Sequence, residues 1–321
     1  MRKRKQFPRV GRPSAAKSGD GSARVRHGHE NERKPAAADA HSMRSSQAPA
    51  HRHHRMSTRK PNGGAIWLYG THAVSAALEN PARRIKRLLV TEGGLDAIQP
   101  ALDRAAHRDG QAPAALAAEP VMRGEIDALF PADTVHQGVA LLVQPRAPVA
   151  LEDVLEALAS AERALVVVLD QASDPRNVGA VLRSAAAFGA SAVILPERHA
   201  PPESGALAKA ASGALEAVPV VRVTNVARTL ETLKTAGFWC VGLAPEGRHD
   251  VRAPSPPGPV ALVLGAEGRG LRRLTLERCD EAARIPLAGP IASLNLSAAA
   301  AVALYAFRTC ARDAAGDGEA R

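Results

Sequence analysis

Aromatic side chains are scarce in this chain: five Phe, two Trp and two Tyr make up 3% of its 321 residues. So few rings argue against a broad platform that would read RNA by stacking its bases. Cysteine is equally sparse. Cys240, Cys279 and Cys310 form no C-x-x-C pair and are too few for a disulfide framework, so reduced, mostly buried thiols in a cytoplasmic protein are expected. No apolar run has the form of a secretory leader, and none is long enough to span a bilayer. No G-x-G-x-x-G follows the first strand of either expected domain, which removes a dinucleotide-dependent oxidoreductase. The histidines lack the spacing and the cysteine partners of a metal site, and no metal is expected.

Positive charge is abundant, but only at one end. Residues 1–60 carry 16 Lys or Arg against 4 Asp or Glu, while the remaining 26 basic and 28 acidic residues nearly cancel. That N-terminal stretch is rich in Arg, His, Ser, Gly, Pro and Ala and has almost no large apolar residues, so residues 1–62 are expected to form a disordered basic tail. Two readings of the tail stay open. It is a polycationic arm that adds sequence-independent affinity for RNA phosphates, or it reflects a start placed upstream of Met43 or Met56.

Beyond the tail the pattern alternates between strand and helix. Ala65 to Gly70 leads into a helical spacing from His72, Lys86–Thr91 reads as a strand, 95–108 and 121–129 as helices, and 138–143 as a second strand. This is a small α/β unit over 65–145, closed by a Pro-marked linker at Pro145–Pro148. A second unit, 150–314, carries continuous apolar runs at Leu165–Leu169, Ala192–Leu195, Val218–Val221, Trp239–Leu243 and Val260–Leu264. Runs of that kind suit parallel strands covered on both faces. Helical segments at 177–188, 203–211, 225–236, 270–278 and Ser293–Arg312 separate or follow them, giving a doubly wound parallel sheet with ligands expected at the C-terminal strand edges.

Three short segments carry the chemistry. Asp174-Pro-Arg-Asn follows a strand, and Asn177 is placed either to cap the next helix or to meet a ligand; Arg183, six residues on, is a surface ion-pair residue or a ligand contact. Gly265-Ala-Glu-Gly-Arg-Gly lets the backbone turn sharply and approach a ligand closely. Ile285-Pro-Leu-Ala-Gly is a stiff extended stretch that can present backbone groups to a ligand, and Ser293-Leu-Asn-Leu-Ser opens the last helix, where Ser293 or Asn295 is also a natural cap.

Together and in this order, the three segments resemble the signature motifs of the SpoU (TrmH-type) family of RNA ribose 2′-O-methyltransferases, in its 23S rRNA guanosine-modifying branch. The likeness extends over about 65–312: Tyr69-Gly-Thr-His-Ala-Val and His136-Gln-Gly-Val-Ala are similar to the L30e/L7Ae-like substrate-binding domain of that branch. It implies an α/β fold with a trefoil knot in the methyltransferase domain, S-adenosylmethionine as cofactor, and a homodimer acting on RNA rather than DNA, in the cytoplasm and away from membranes. It also implies catalytic roles for Asn177, Arg183, Glu267, Ser293 and Asn295, and cofactor contacts from Gly265, Ile285, Leu287 and Leu294. Leu287 and Leu296 stand where Met and Val are commoner, which conserves apolar volume. Two other readings remain at this point: a tRNA guanosine 2′-O-methyltransferase of the same superfamily, and a non-catalytic RNA-binding assembly factor that keeps the fold.

Overall fold

A computed structural model describes residues 64–108, 117–253 and 258–314; the expected basic tail lies outside them. The smaller of two sheets contains β1 (Ile66–Tyr69), β2 (Ile85–Val90), β3 (Ala118–Pro120) and β4 (Val139–Val143) in the order β1-β4-β2-β3. β4 runs antiparallel to β1 and β2, and β3 adds in parallel at the edge. The connecting helices are α1 (Thr71–Glu79), α2 (Glu92–Arg108) and α3 (Arg123–Asp127).

From Leu151 the chain builds a parallel sheet of seven strands. In chain order these are α4 (Leu151–Leu158), β5 (Leu165–Leu169), α5 (Pro175–Ala187), β6 (Ala192–Pro196), α6 (Gly205–Ala211), α7 (Ala214–Ala217), β7 (Val220–Val223), α8 (Val226–Thr235), β8 (Trp239–Leu243), β9 (His249–Asp250), β10 (Val260–Leu264), α9 (Arg273–Arg278), β11 (Glu281–Arg284) and α10 (Leu296–Ala314). The strand order is β7-β6-β5-β10-β8-β11-β9, and every pairing is parallel. β10, Val-Ala-Leu-Val-Leu, sits between β5 and β8 and is buried throughout, as a central strand of this composition should be.

Side-chain alternation sorts the core onto two faces. Val166, Val168, Ile194, Ala261 and Val263 pack with α4 and α8, through Val154, Leu230 and Leu233. Val167, Leu169, Leu195, Leu262 and Leu264 pack with α5, α6 and α10, through Val181, Leu182, Leu207, Ala300 and Leu304. This second cluster does not end at the parallel sheet. It continues without a break into Leu68, Leu88, Leu141 and Val143 of the small sheet, and into Val74 of α1.

Several boundaries differ from the pattern reading for identifiable reasons. β7 begins at Val220 rather than Val218, because the Val218 N–H is used by the Ala214 carbonyl at the end of α7 and Pro219 has no N–H to give. α10 begins at Leu296, with Asn295 before it accepting from the Ser297 N–H at 2.8 Å, rather than at Ser293. The short strands β3 and β11 (Glu281-Ala-Ala-Arg) carry no apolar run, and the alternation does not announce them. Cys240 and Cys279 are free thiols; burial pushes both up to about 12, with Asp280 adding to the effect at each. The side chain of Cys310 is not among those described.

Candidate active site

α5 starts one turn beyond β5, and its start is written in the sequence. Asp174 takes the N-cap position and accepts from the Arg176 N–H at 2.8 Å, and Pro175 occupies the first helical position. Capping therefore falls to Asp174 and not to Asn177. Freed from that work, the Asn177 carboxamide donates through Nδ2 to Glu267 Oε1 at 2.6 Å.

Glu267 lies in the loop after β10. That loop is tightly closed: Ala266 and Gly270 exchange N–H···O bonds of 3.1 and 2.9 Å. Its first residue, Gly265, has no room for a side chain, since a Cβ there would stand 2.0 Å from the Gly270 carbonyl carbon. The far end is fastened to β5 by the buried Asp170 carboxylate. Its oxygens accept from Arg272 Nε at 2.9 and 3.0 Å and from Thr275 Oγ1 at 2.8 Å.

The third segment of the site is the stretch 285–295, between β11 and α10. Asn295 does two jobs at its end. Its Oδ1 accepts from the Ser297 N–H and opens α10, while its Nδ2 donates to Glu267 Oε1 at 2.7 Å and approaches Asn177 Oδ1 at 3.2 Å. One carboxylate thus gathers two carboxamides from segments 90 and 28 residues away. Both partners are neutral donors and bring no countercharge to the carboxylate.

Beside this cluster a cavity of about 530 Å³ opens at the C-terminal ends of β8 and β10. Gly265, Glu267, Ile285, Leu287, Ser293 and Leu294 all line it. Its remaining wall includes Leu243 at the end of β8, Ala244 and Pro245 just after it, and Arg284, Ile291 and Leu296. The β8 residues were not singled out by any motif; the signal for them was topological, because a crevice at adjacent strand ends is where open α/β sheets bind ligands. The mixture of aliphatic wall, turning backbone and one carboxylate suits an adenosine joined to a cationic group, and the volume is that of a small-molecule site. S-adenosylmethionine has that chemistry.

Arg183 is placed apart. Six residues along a helix rotate a side chain by about 240° from Asn177, and Arg183 is exposed, outside the cavity wall, and without a hydrogen bond or ion pair among the described residues. Among the described residues no group of three or more His, Cys, Asp or Glu could hold a metal ion. No helix there is long and apolar enough to cross a membrane.

The fold and the site together define an α/β protein that takes a small, partly apolar ligand at the edge of a parallel sheet, with a carboxamide–carboxylate cluster at its rim. The chain belongs to the SpoU rRNA methylase family: the family model matches residues 164–305, and the model of the RNA 2′-O ribose methyltransferase substrate-binding domain matches 67–149. A 23S rRNA (guanosine-2′-O-)-methyltransferase, RlmB, of Vibrio parahaemolyticus is 39% identical over 240 residues, covering 74% of this chain and 94% of that protein. The Escherichia coli protein of the same name is 38% identical over 238 residues, with 74% and 96% covered. Among solved structures, the SpoU methyltransferase AviRb from Streptomyces viridochromogenes in complex with AdoMet superposes with a TM-score of 0.60 at 25% identity, covering 77% of this chain and 90% of that one. An AdoMet-bound rRNA methyltransferase from Sinorhizobium meliloti gives 0.60 at 25% identity, with 77% and 87% covered.

Proposed function

We propose that this chain methylates the ribose 2′-oxygen of a guanosine in 23S rRNA, with S-adenosylmethionine as methyl donor. The observation that carries the reading is the convergence on Glu267 of Asn177 and Asn295, which brings all three motif segments to the mouth of one cavity. The cofactor, when bound, supplies a methyl group activated as a sulfonium. Gly265, Ile285, Leu287 and Leu294 hold its adenosine part through backbone groups and apolar contact. Glu267 offers the negative charge that favours a cation, and the two carboxamides fix its orientation. Ser293, on the cavity wall, orients the incoming ribose.

Arg183 stabilises the alkoxide charge that develops on the 2′-oxygen. A guanidinium stays protonated across the range proteins tolerate, so it serves as a charge partner rather than as a resting base. The enzyme's contribution is alignment of the two reactants and stabilisation of that charge. Because Arg183 stands away from the carboxamide cluster of its own subunit, the reading includes a homodimer in which α5 contributes to a composite site. The chain divides into residues 65–145 for substrate binding, 150–314 for transfer, and the basic tail 1–62 for added RNA affinity. A trefoil passage of the C-terminal segment belongs to this reading. What supports it is that β11 lies beyond β8 while α10, which follows it, returns to α5 and β10 on the inner side. The substrate is RNA, since DNA lacks the accepting hydroxyl, and the work is cytoplasmic.

The test is methyl transfer from labelled S-adenosylmethionine to unmodified 23S rRNA, with unmodified tRNA in parallel and the product mapped to a nucleotide. Label on an rRNA guanosine ribose is expected; label on tRNA alone, or on neither, overturns the reading. Arg183→Ala is expected to lower kcat by at least a hundredfold, about 2.7 kcal/mol, with cofactor affinity unchanged by calorimetry. Near-normal turnover in that variant would place the reacting centre elsewhere.

A further inference from the structure

Arg176 and Arg183 are separated by seven residues on α5, which places them on one face two turns apart, about 10.5 Å along the axis. That face is defined independently. Gly179, between them, lies against α6 so closely that a Cβ would stand 2.4 Å from the Leu207 carbonyl oxygen and 2.7 Å from Ala210 Cβ. The two arginines therefore lie along the rim of the α5–α6 contact, away from the face that carries Asn177. Both are exposed, and neither side chain has a hydrogen bond or ion pair among the described residues.

Several other cations of the fold are already engaged. Arg272 is bound to Asp170, Arg83 to Glu203 and Glu216, Arg222 to the Pro201 carbonyl, and Arg146 to the Leu215 carbonyl. Lys209, on α6, donates to the Val135 carbonyl and lies 5.7 Å above the Tyr69 ring. Gly205, at the start of α6, lies against the same ring, so that a Cβ there would stand 2.5 Å from Tyr69 Cε1. Burial raises the Tyr69 phenol above its ordinary value, and the nearby positive charge of Arg176 works against that rise. Tyr69 ends β1, so the α5–α6 edge that carries Arg176 borders the small sheet, and Arg183 continues the same line.

We propose that Arg176 grips a backbone phosphate of the RNA beside the target nucleotide, so that the Arg176–Arg183 face forms a track leading the strand from the substrate-binding unit to the reacting ribose. An unpaired guanidinium on a rigid helix keeps its donors for a bidentate phosphate contact. Two such groups two turns apart span a short run of phosphates, and none of this requires base reading, in keeping with the scarcity of aromatics. Arg176 is a substrate-positioning residue here, and the inference rests on the RNA methyltransferase reading above.

The experiment compares Arg176→Ala, Arg176→Lys and wild type for binding and methylation of an unmodified 23S rRNA transcript at several salt concentrations. Arg176→Ala is expected to raise KM for RNA about tenfold and to make the slope of log affinity against log salt shallower by about 0.7, one phosphate contact on a single strand. Its kcat at saturating RNA should stay within about threefold, its S-adenosylmethionine affinity should not change, and Arg176→Lys should restore the salt slope. An unchanged KM and slope in Arg176→Ala, with wild type binding and methylating the transcript, overturns the phosphate contact alone. A raised KM with an unchanged slope overturns it too, because a packing effect would act that way. Failure of wild type to bind the transcript overturns the parent reading and this inference with it.

Discussion

At the scale of the residue, the site depends on positions that tolerate nothing larger. Gly265 is the sharpest. A methyl at its Cα would overlap the Gly270 carbonyl, and relief requires opening the loop that carries Glu267. Gly265→Ala is therefore expected to weaken S-adenosylmethionine binding by at least a hundredfold, about 2.7 kcal/mol, as read by titration calorimetry. Its circular dichroism spectrum should remain native, since β10 ends before the loop begins. Unaltered affinity would mean that the loop does not shape the cofactor pocket. Asn177 and Asn295 illustrate how far residue types alone can be read. Each was a plausible cap, and Asn295 is one. Asp174 caps α5 instead, and nothing in the spacing of Asn177 foretells that its amide turns to a carboxylate 90 residues away.

At the scale of the element, the long apolar strands were the legible part. Leu165–Leu169, Trp239–Leu243 and Val260–Leu264 occupy the positions their composition predicts, because burial on both faces leaves a continuous signal. β3, β9 and β11 were not legible. β3 and β9 are short edge pieces and β11 a short strand between β8 and β9, and all three are held by pairing with their neighbours rather than by an apolar run of their own. The loop between β10 and α9 was legible as a turn, whereas its anchor was not. Asp170 reads in the sequence as the polar residue that ends β5; only the fold reveals a buried carboxylate holding Arg272 and Thr275 across 102 and 105 residues. Asp170→Asn removes the charge pair and retains a similar shape. It is expected to weaken cofactor binding about tenfold, ~1.4 kcal/mol, and to leave RNA affinity as it is, because the loop and not the α5 face loses its support. An unchanged cofactor affinity, measured together with melting temperature, would reduce Asp170 to a purely structural residue.

At the scale of the whole molecule, the seam between the two sheets is held by charge as well as by packing. The Arg83 side chain is fully buried and binds Glu203 at 2.6 Å, Glu216, and the Gln144 carbonyl at 3.1 Å, with Asn80 Nδ2 donating to Glu216 at 2.7 Å. Burial alone would lower its pKa, and the hydrogen bond and charge of Glu216, with those of Glu203, more than offset this and raise it. Arg83→Met would leave two shielded carboxylates without their cation, a loss of about 3–5 kcal/mol. Thermal melts of variant and wild type at neutral pH check the loss; an unchanged melting temperature would show that the network carries little energy.

The core that runs unbroken from Leu68 and Leu141 to Leu182 and Leu262 has a consequence for how this protein can be taken apart. Cutting at the proline-rich linker would expose apolar surface of this shared core on both fragments. Residues 64–314 should therefore melt in a single calorimetric transition whose van't Hoff and calorimetric enthalpies agree, and a fragment starting at Ala150 should aggregate. The stretches on either side of Pro145–Pro148 are separable as sequences, but as matter they freeze and thaw together.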